Sequence, residues 1–108
     1  MTKKNKKKPL TLKGLRTIDN RNCFILEKED IFRDYFNEIL EKAGIKSMIY
    51  EEQGEISQRT NEIDHFQNED FDIDVIYTSN RIIIIVRGET KKLREFKSLI
   101  LAYSKISS

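Results

Sequence analysis

The chain has one cysteine, one proline, no tryptophan and four glycines in 108 residues. A single thiol, Cys23, excludes an internal disulfide framework and fits a reducing compartment, so a cytoplasmic location is expected. No run of 18 apolar residues occurs, which excludes a membrane-spanning helix. The lysines near the start are not followed by an apolar segment of signal-peptide length. Gly14, Gly44, Gly54 and Gly88 fit neither a dinucleotide-binding nor a P-loop spacing, so no phosphate-cradling loop is expected. With one histidine and one cysteine, zinc has too few soft ligands. The run Asp70-Phe71-Asp72-Ile73-Asp74 alternates with apolar residues where a calcium loop would place a glycine turn. It reads as the wet face of a strand. Cys23, beside Phe24-Ile25-Leu26, reads as a small buried hydrophobe rather than a nucleophile. No pair of carboxylates stands out for acid–base work. The expectation is a protein that is not an enzyme and takes no cofactor and no metal.

What the chain has in quantity is charge, unevenly distributed. Residues 1–21 hold eight Lys/Arg against one Asp, a net +7, while residues 22–108 hold twelve basic against seventeen acidic groups, a net −5. Glu51 to Asp74 carries nine carboxylates and one arginine. Arg81 to Lys105 carries seven Lys/Arg and two Glu. Such blocks steer charged partners, and the block that faces the partner decides its sign.

Residues 1–21 read as a basic flexible tail, with Leu10, Leu12 and Leu15 as a small apolar patch, and residues 22–108 as one domain. Cys23–Leu26 suggests an N-terminal strand. Asp30 is a candidate N-cap for a helix whose apolar face holds Ile31, Phe32, Tyr35, Phe36, Ile39, Leu40 and Ala43, closed by Gly44. A strand is expected over Ile45–Tyr50, then a long acidic loop from Glu55 to Asn68. Phe71, Ile73, Val75 and Tyr77 alternate with polar residues, as in a half-buried strand. The unbroken run Ile82–Val86 predicts a strand central in its sheet or shielded on both faces. A last helix, capped by Thr90, places Leu93, Phe96, Ile100 and Tyr103 on one face. The fold expected is α+β. It has an α-β-β-β-α core and an additional N-terminal strand, in which two helices pack on one face of a small, three- or four-stranded, mostly antiparallel sheet.

Two binding surfaces follow from the charge. The first joins the tail lysines Lys3, Lys4, Lys6, Lys7 and Lys8 to Arg87, Lys91, Lys92, Arg94 and Lys97, where the last strand enters the last helix. Lysines beside a helix N-terminus suit phosphate, and phosphate contact releases counterions. Its expected partner is nucleic acid, RNA favoured, for an accessory module of a ribonucleoprotein. The alternative is an adaptor or inhibitor whose acidic segment, including Glu51, Glu52, Asp70, Asp72 and Asp74, engages a basic protein by mimicking nucleic-acid charge. A homodimer, or a subunit role in a larger complex, is compatible with either.

The order of elements is similar to that of the small signal-recognition-particle subunits that bind Alu RNA. The likeness rests on Phe24-Ile25-Leu26-Glu27, Ile31, Phe36, Phe96 and Ala102-Tyr103-Ser104, with an acidic loop in place of a basic one. Asn80-Arg81-Ile82 through Leu93-Arg94 resembles the small subunit of the KEOPS tRNA-modification complex. Double-stranded-RNA-binding domains share the α-β-β-β-α order. All three resemblances imply RNA or ribonucleoprotein work on an α+β scaffold.

Overall fold

The computed structural model describes residues 8–45, 48–49 and 62–106. Within them the chain runs β1 (Leu10–Ile18), β2 (Arg21–Glu27), α1 (Phe32–Lys42), β3 (Met48–Ile49), β4 (Glu62–Gln67), β5 (Asp72–Tyr77), β6 (Arg81–Arg87), α2 (Thr90–Ala102) and β7 (Ser104–Ile106). The strands form one sheet in the order β3-β4-β5-β6-β2-β1-β7. All pairings are antiparallel except β1 with β7, which makes the sheet mixed. The α+β class and the two helices on one face hold. The sheet is larger than the three or four strands expected, and three pieces of sequence account for that.

The first is the segment assigned to the tail, since residues 10–18 form β1. Leu10 and Leu12 are fully buried, and Leu15 packs against the core. Their spacing hides a strand because the register shifts between Leu12 and Gly14. This bulge at Lys13 inserts one residue, so Leu12 and Leu15 share a face although three apart. Asp19 and Asn20 make the hairpin turn, with Asp19 at φ 49°, a left-handed conformation that aspartate tolerates. The second piece is β4, inside the stretch expected to be an irregular loop. Only Phe66 of β4 is buried, so polar residues on both faces mask its alternation. The third is β7, three residues long, paired in parallel with the start of β1. Of the strand expected over Ile45–Tyr50, the described residues contain Met48–Ile49.

Helix α1 buries Phe32, Tyr35, Phe36, Ile39 and Leu40. It starts one residue later than expected, with Ile31 at the N-cap and no side-chain cap. It ends as expected: Gly44 takes φ 82°, and the amides of Gly44 and Ile45 donate to the carbonyls of Glu41 and Leu40 at 3.1 and 2.9 Å. That is a Schellman closure, which satisfies two of the helix's terminal carbonyls. Likewise Thr90 is the first residue of α2 rather than its cap; Glu89 takes that position, extended and without a side-chain hydrogen bond.

The core lies between the helices and one sheet face. Val75, Ile84 and Phe24 form one buried row across β5, β6 and β2, and Tyr77, Ile82, Leu26 and Leu12 form the next. Phe36 of α1 meets Phe66 edge-on at 5.6 Å, and Phe96 of α2 meets Phe24 at 6.4 Å and Phe71 at 5.3 Å. Each such ring pair adds about 0.5–1.5 kcal/mol beyond the area it buries. The buried Asn22 accepts from the Thr17 hydroxyl at 3.1 Å and donates to the Leu93 carbonyl at 3.5 Å, fastening β2 to the first turns of α2.

Candidate nucleic-acid interface

Helix α2 is oriented by Leu93, Phe96 and Ile100, all buried. That spacing turns Lys91 and Arg94 outward, where both are exposed. Lys92 and Lys97 are half-buried at the flanks of the helix. Lys92 pairs with Asp70 at 3.6 Å and with Glu95 at 3.8 Å. The helix carries four cationic side chains and one carboxylate. Because no side chain caps it, the backbone amides of its first turn add their own partial positive charge.

The approach to this helix is tightly built. A Cβ placed on Gly88 would lie 2.7 Å from the Asp70 carbonyl oxygen, so only glycine lets the two backbones come this close. The Gly88 amide donates to the Asn20 carbonyl at 3.3 Å, joining the β1–β2 turn to the β6–α2 connection. Opposite, Asn68 Oδ1 accepts from the amides of Asp70 and Phe71, each at 2.8 Å, and holds the β4–β5 turn against the same point.

The other basic block leaves the domain elsewhere. Tyr35 donates to the Lys8 carbonyl at 2.7 Å, and the Leu10 amide donates to the Tyr103 carbonyl at 2.9 Å. The tail therefore departs beside the C-terminal end of α2, and Lys91 lies at the other end, about 20 Å away at 1.5 Å per helical residue. Exposed Lys105 lies in β7, opposite Thr11 of β1. Lys3, Lys4, Lys6 and Lys7 lie outside the described residues.

Arg87, expected to join the α2 lysines, ends β6 on the opposite face of the sheet and pairs with Asp72 at 3.7 Å. Its cross-strand neighbour is Arg21, and Arg16 stands beside Cys23 in the next row. Sequence reading placed both arginines in the tail. The signal that could have found them is the Asp19-Asn20 pair, a two-residue hairpin turn.

That second sheet face, which no described element covers, also holds the acidic residues. Ile63, Ile76, Ile83, Ile25 and Gly14 line up in register across five strands. The next row is His65, Asp74, Ile85, Cys23 and Arg16. Cys23 is thus half-buried on this face, not in the core. His65 Nδ1 lies 2.7 Å from Asp74 Oδ1, and Nε2 lies 3.3 Å from Asp72 Oδ1 without hydrogen-bond alignment. The Asp74 hydrogen bond raises the His65 pKa; burial opposes it, and the charges of both aspartates reinforce it. On the helix side, burial pushes the Tyr77 phenol up to about 12, against the Arg33 guanidinium 4.8 Å from its ring. Asp70 sits in the preceding turn rather than on the strand face with Asp72 and Asp74. Glu51 and Glu52 lie outside the described residues.

No protein-family model, curated protein or solved structure matches the chain, so the three likenesses above receive no support from that side. Among the described residues no group of His, Cys, Asp and Glu is arranged to hold a metal ion, and no helix is long and apolar enough to cross a membrane.

Proposed function

We propose that this chain is a non-enzymatic nucleic-acid-binding module, RNA favoured, that grips the phosphate backbone with the outer side of α2 and the lysine tail. The observation that supports the reading is that one basic cluster stands near the start of α2 and that Lys8, which continues the lysine tail, lies by its end. Lys91 and Arg94 stand exposed near its start, and the tail leaves beside Tyr103 at its end. A backbone following α2 from Lys91 to the level of Lys8 would span about 20 Å, or roughly six phosphates of a single strand at ~3.4 Å each.

Such contacts position a nucleic acid without reading its sequence. All the described aromatic side chains except Tyr103 are buried on the helix side of the sheet, so base stacking has no platform there. RNA is preferred over DNA on the three architectural resemblances alone. The acidic adaptor reading draws less from the geometry, because Asp70, Asp72 and Asp74 each lie within ion-pair distance of the chain's own Lys92, Arg87 or His65.

The test is a salt titration of binding to single- and double-stranded RNA and DNA, for the full chain and for a chain lacking residues 1–7. Removing Lys91 and Arg94 together should lower the slope of log affinity against log salt by about 1.4 for single strands, at ~0.7 per phosphate contact. A slope unchanged by both the truncation and the double substitution removes nucleic acid as the partner.

A further inference from the structure

The sheet face that no described element covers lies on the other side from α2. An antiparallel sheet with one solvated face ordinarily alternates apolar-in with polar-out. Here the outward row carries four isoleucines, Ile63, Ile76, Ile83 and Ile25, with Ile85 and Cys23 beside them in the next row. Ile18, at the β1 corner of the same face, is 53% exposed. Five strands spaced at ~4.8 Å and about seven residues long give a face of roughly 24 by 24 Å, or ~570 Å² per copy. Two such faces pressed together would remove about 1,100 Å², which passes the ~1,000 Å² that a specific interface needs.

Charge says what fits there. In the two rows beside the isoleucine row, the β5 end holds Asp72 and Asp74 and the β1–β2 end holds Arg16 and Arg21, with Arg87 of β6 between Asp72 and Arg21. The middle strand of the five is β6. A two-fold axis lying over β6, close to the strand direction, turns the face onto itself. It brings the β5 carboxylates of each copy toward the β1–β2 guanidiniums of the other and sets isoleucine row on isoleucine row; Arg87, on the axis, meets its own mate and is offset by Asp72 at 3.7 Å. It also sets Gly14, which has no side chain, opposite Ile63. Sheets that pack face to face keep their strands within about 30°, which this axis allows. A polyanion laid here would meet Asp72 and Asp74, and a uniformly charged protein surface would be repelled by one half.

From this self-complementarity we infer that the open sheet face is a homodimer interface, isologous and two-fold, with the α2 layers facing outward on both sides. The inference does not depend on the nucleic-acid reading, since the two surfaces share no residue.

Sedimentation velocity of the full chain over a range of concentrations tests it. The unaltered chain should dimerise, and Ile83→Glu, at the centre of the face, should leave only monomer. Two charge variants cover the case in which Ile83→Glu does not fold: Asp72→Lys with Asp74→Lys, and Arg16→Glu with Arg21→Glu. Each should weaken its own homodimer by tenfold or more, through like charges set opposite each other. Mixed one to one, the two variants should form a heterodimer, because positions 72 and 74 of one then face positions 16 and 21 of the other with opposite sign. A chain that stays monomeric at the highest concentration overturns the inference. So does a dimer untouched by Ile83→Glu, or a charge-variant mixture that does not pair.

Discussion

The two faces of the sheet are made from the same strands, residue by residue in alternation, yet they solve different problems. On the helix side, Phe24, Ile73, Val75, Ile84 and Val86 are completely removed from solvent. On the other side their immediate neighbours, Cys23, Ile25, Ile76, Ile83 and Ile85, are only half-buried, and share the surface with His65, Asp72, Asp74 and Arg87. Hydrophobicity alone therefore does not tell the faces apart in β6, where every residue from Ile82 to Val86 is apolar. The covering layer does. The face closed by two helices carries charge only at its β4 edge, where Glu62 and Asp64 pair with Arg33 of α1, and the other face balances its apolar row with ion pairs.

The sharpest way to break this comparison is a charge placed on adjacent residues of β6. Ile84→Asp buries an unpaired carboxylate in a fully occluded site and should cost more than about 4 kcal/mol, or prevent folding. Ile83→Asp, one residue earlier, should cost about 1 kcal/mol or less in the monomer. Urea denaturation of both variants decides it; equal losses would mean that the faces are not distinct. Next in size is Gly88→Ala, where the added Cβ must displace the Asp70 backbone or the start of α2. A loss of about 1–3 kcal/mol is expected, as for other overpacked sites.

A smaller effect sharpens the description of the open face. The His65 pKa is raised in the folded chain, so protonated His65 contributes stability. That contribution is fully present below the unfolded value of about 6.5 and is lost as pH rises through the higher folded value. Unfolding midpoints measured across that window should fall with rising pH for the unaltered chain, and fall less for His65→Ala. If the two pH profiles coincide, the Asp72–His65–Asp74 arrangement carries no weight in stability. The least effect on stability is expected from Lys91→Ala with Arg94→Ala, a change within about 0.5 kcal/mol that leaves the thermal midpoint almost unmoved while lowering the salt slope of nucleic-acid binding.

Much of the helical layer was legible in the sequence, because the stripes of α1 and α2 follow helical periodicity and Gly44 marks an end that only a left-handed residue makes. The strand pair β5 and β6 was legible for the matching reason, period two in one and an unbroken apolar run in the other. The missing strands fail on identifiable local features. In β1 a bulge at Lys13 breaks the alternation of Leu10, Leu12 and Leu15, and the neighbouring lysines make the segment look like an extension of the tail. In β4 His65 and Asp64 point to opposite faces, so neither face reads as apolar. The candidate surfaces suffered from the same cause. With β1 read as tail, Arg16 and Arg21 cannot be seen beside Arg87, and without β4 His65 has no register to place it between Asp72 and Asp74.

The order of strands also fixes how the molecule must assemble in time. Hairpin β1–β2 closes through two residues, and β4, β5 and β6 follow one another as a meander, so both pieces are built from contacts near in sequence. They meet only along β2 and β6, where Phe24 sits opposite Ile84, sixty residues on. Closing that distance costs loop entropy before much contact energy returns; the β1–β7 pairing, Leu10 with Ser104, spans more of the chain but only three residues of ladder. The rate-limiting step should therefore be the docking of the hairpin onto the meander. Truncating Ile84 or Phe24 would then slow refolding, whereas truncating Phe66 at the far side of the sheet would mainly hasten unfolding.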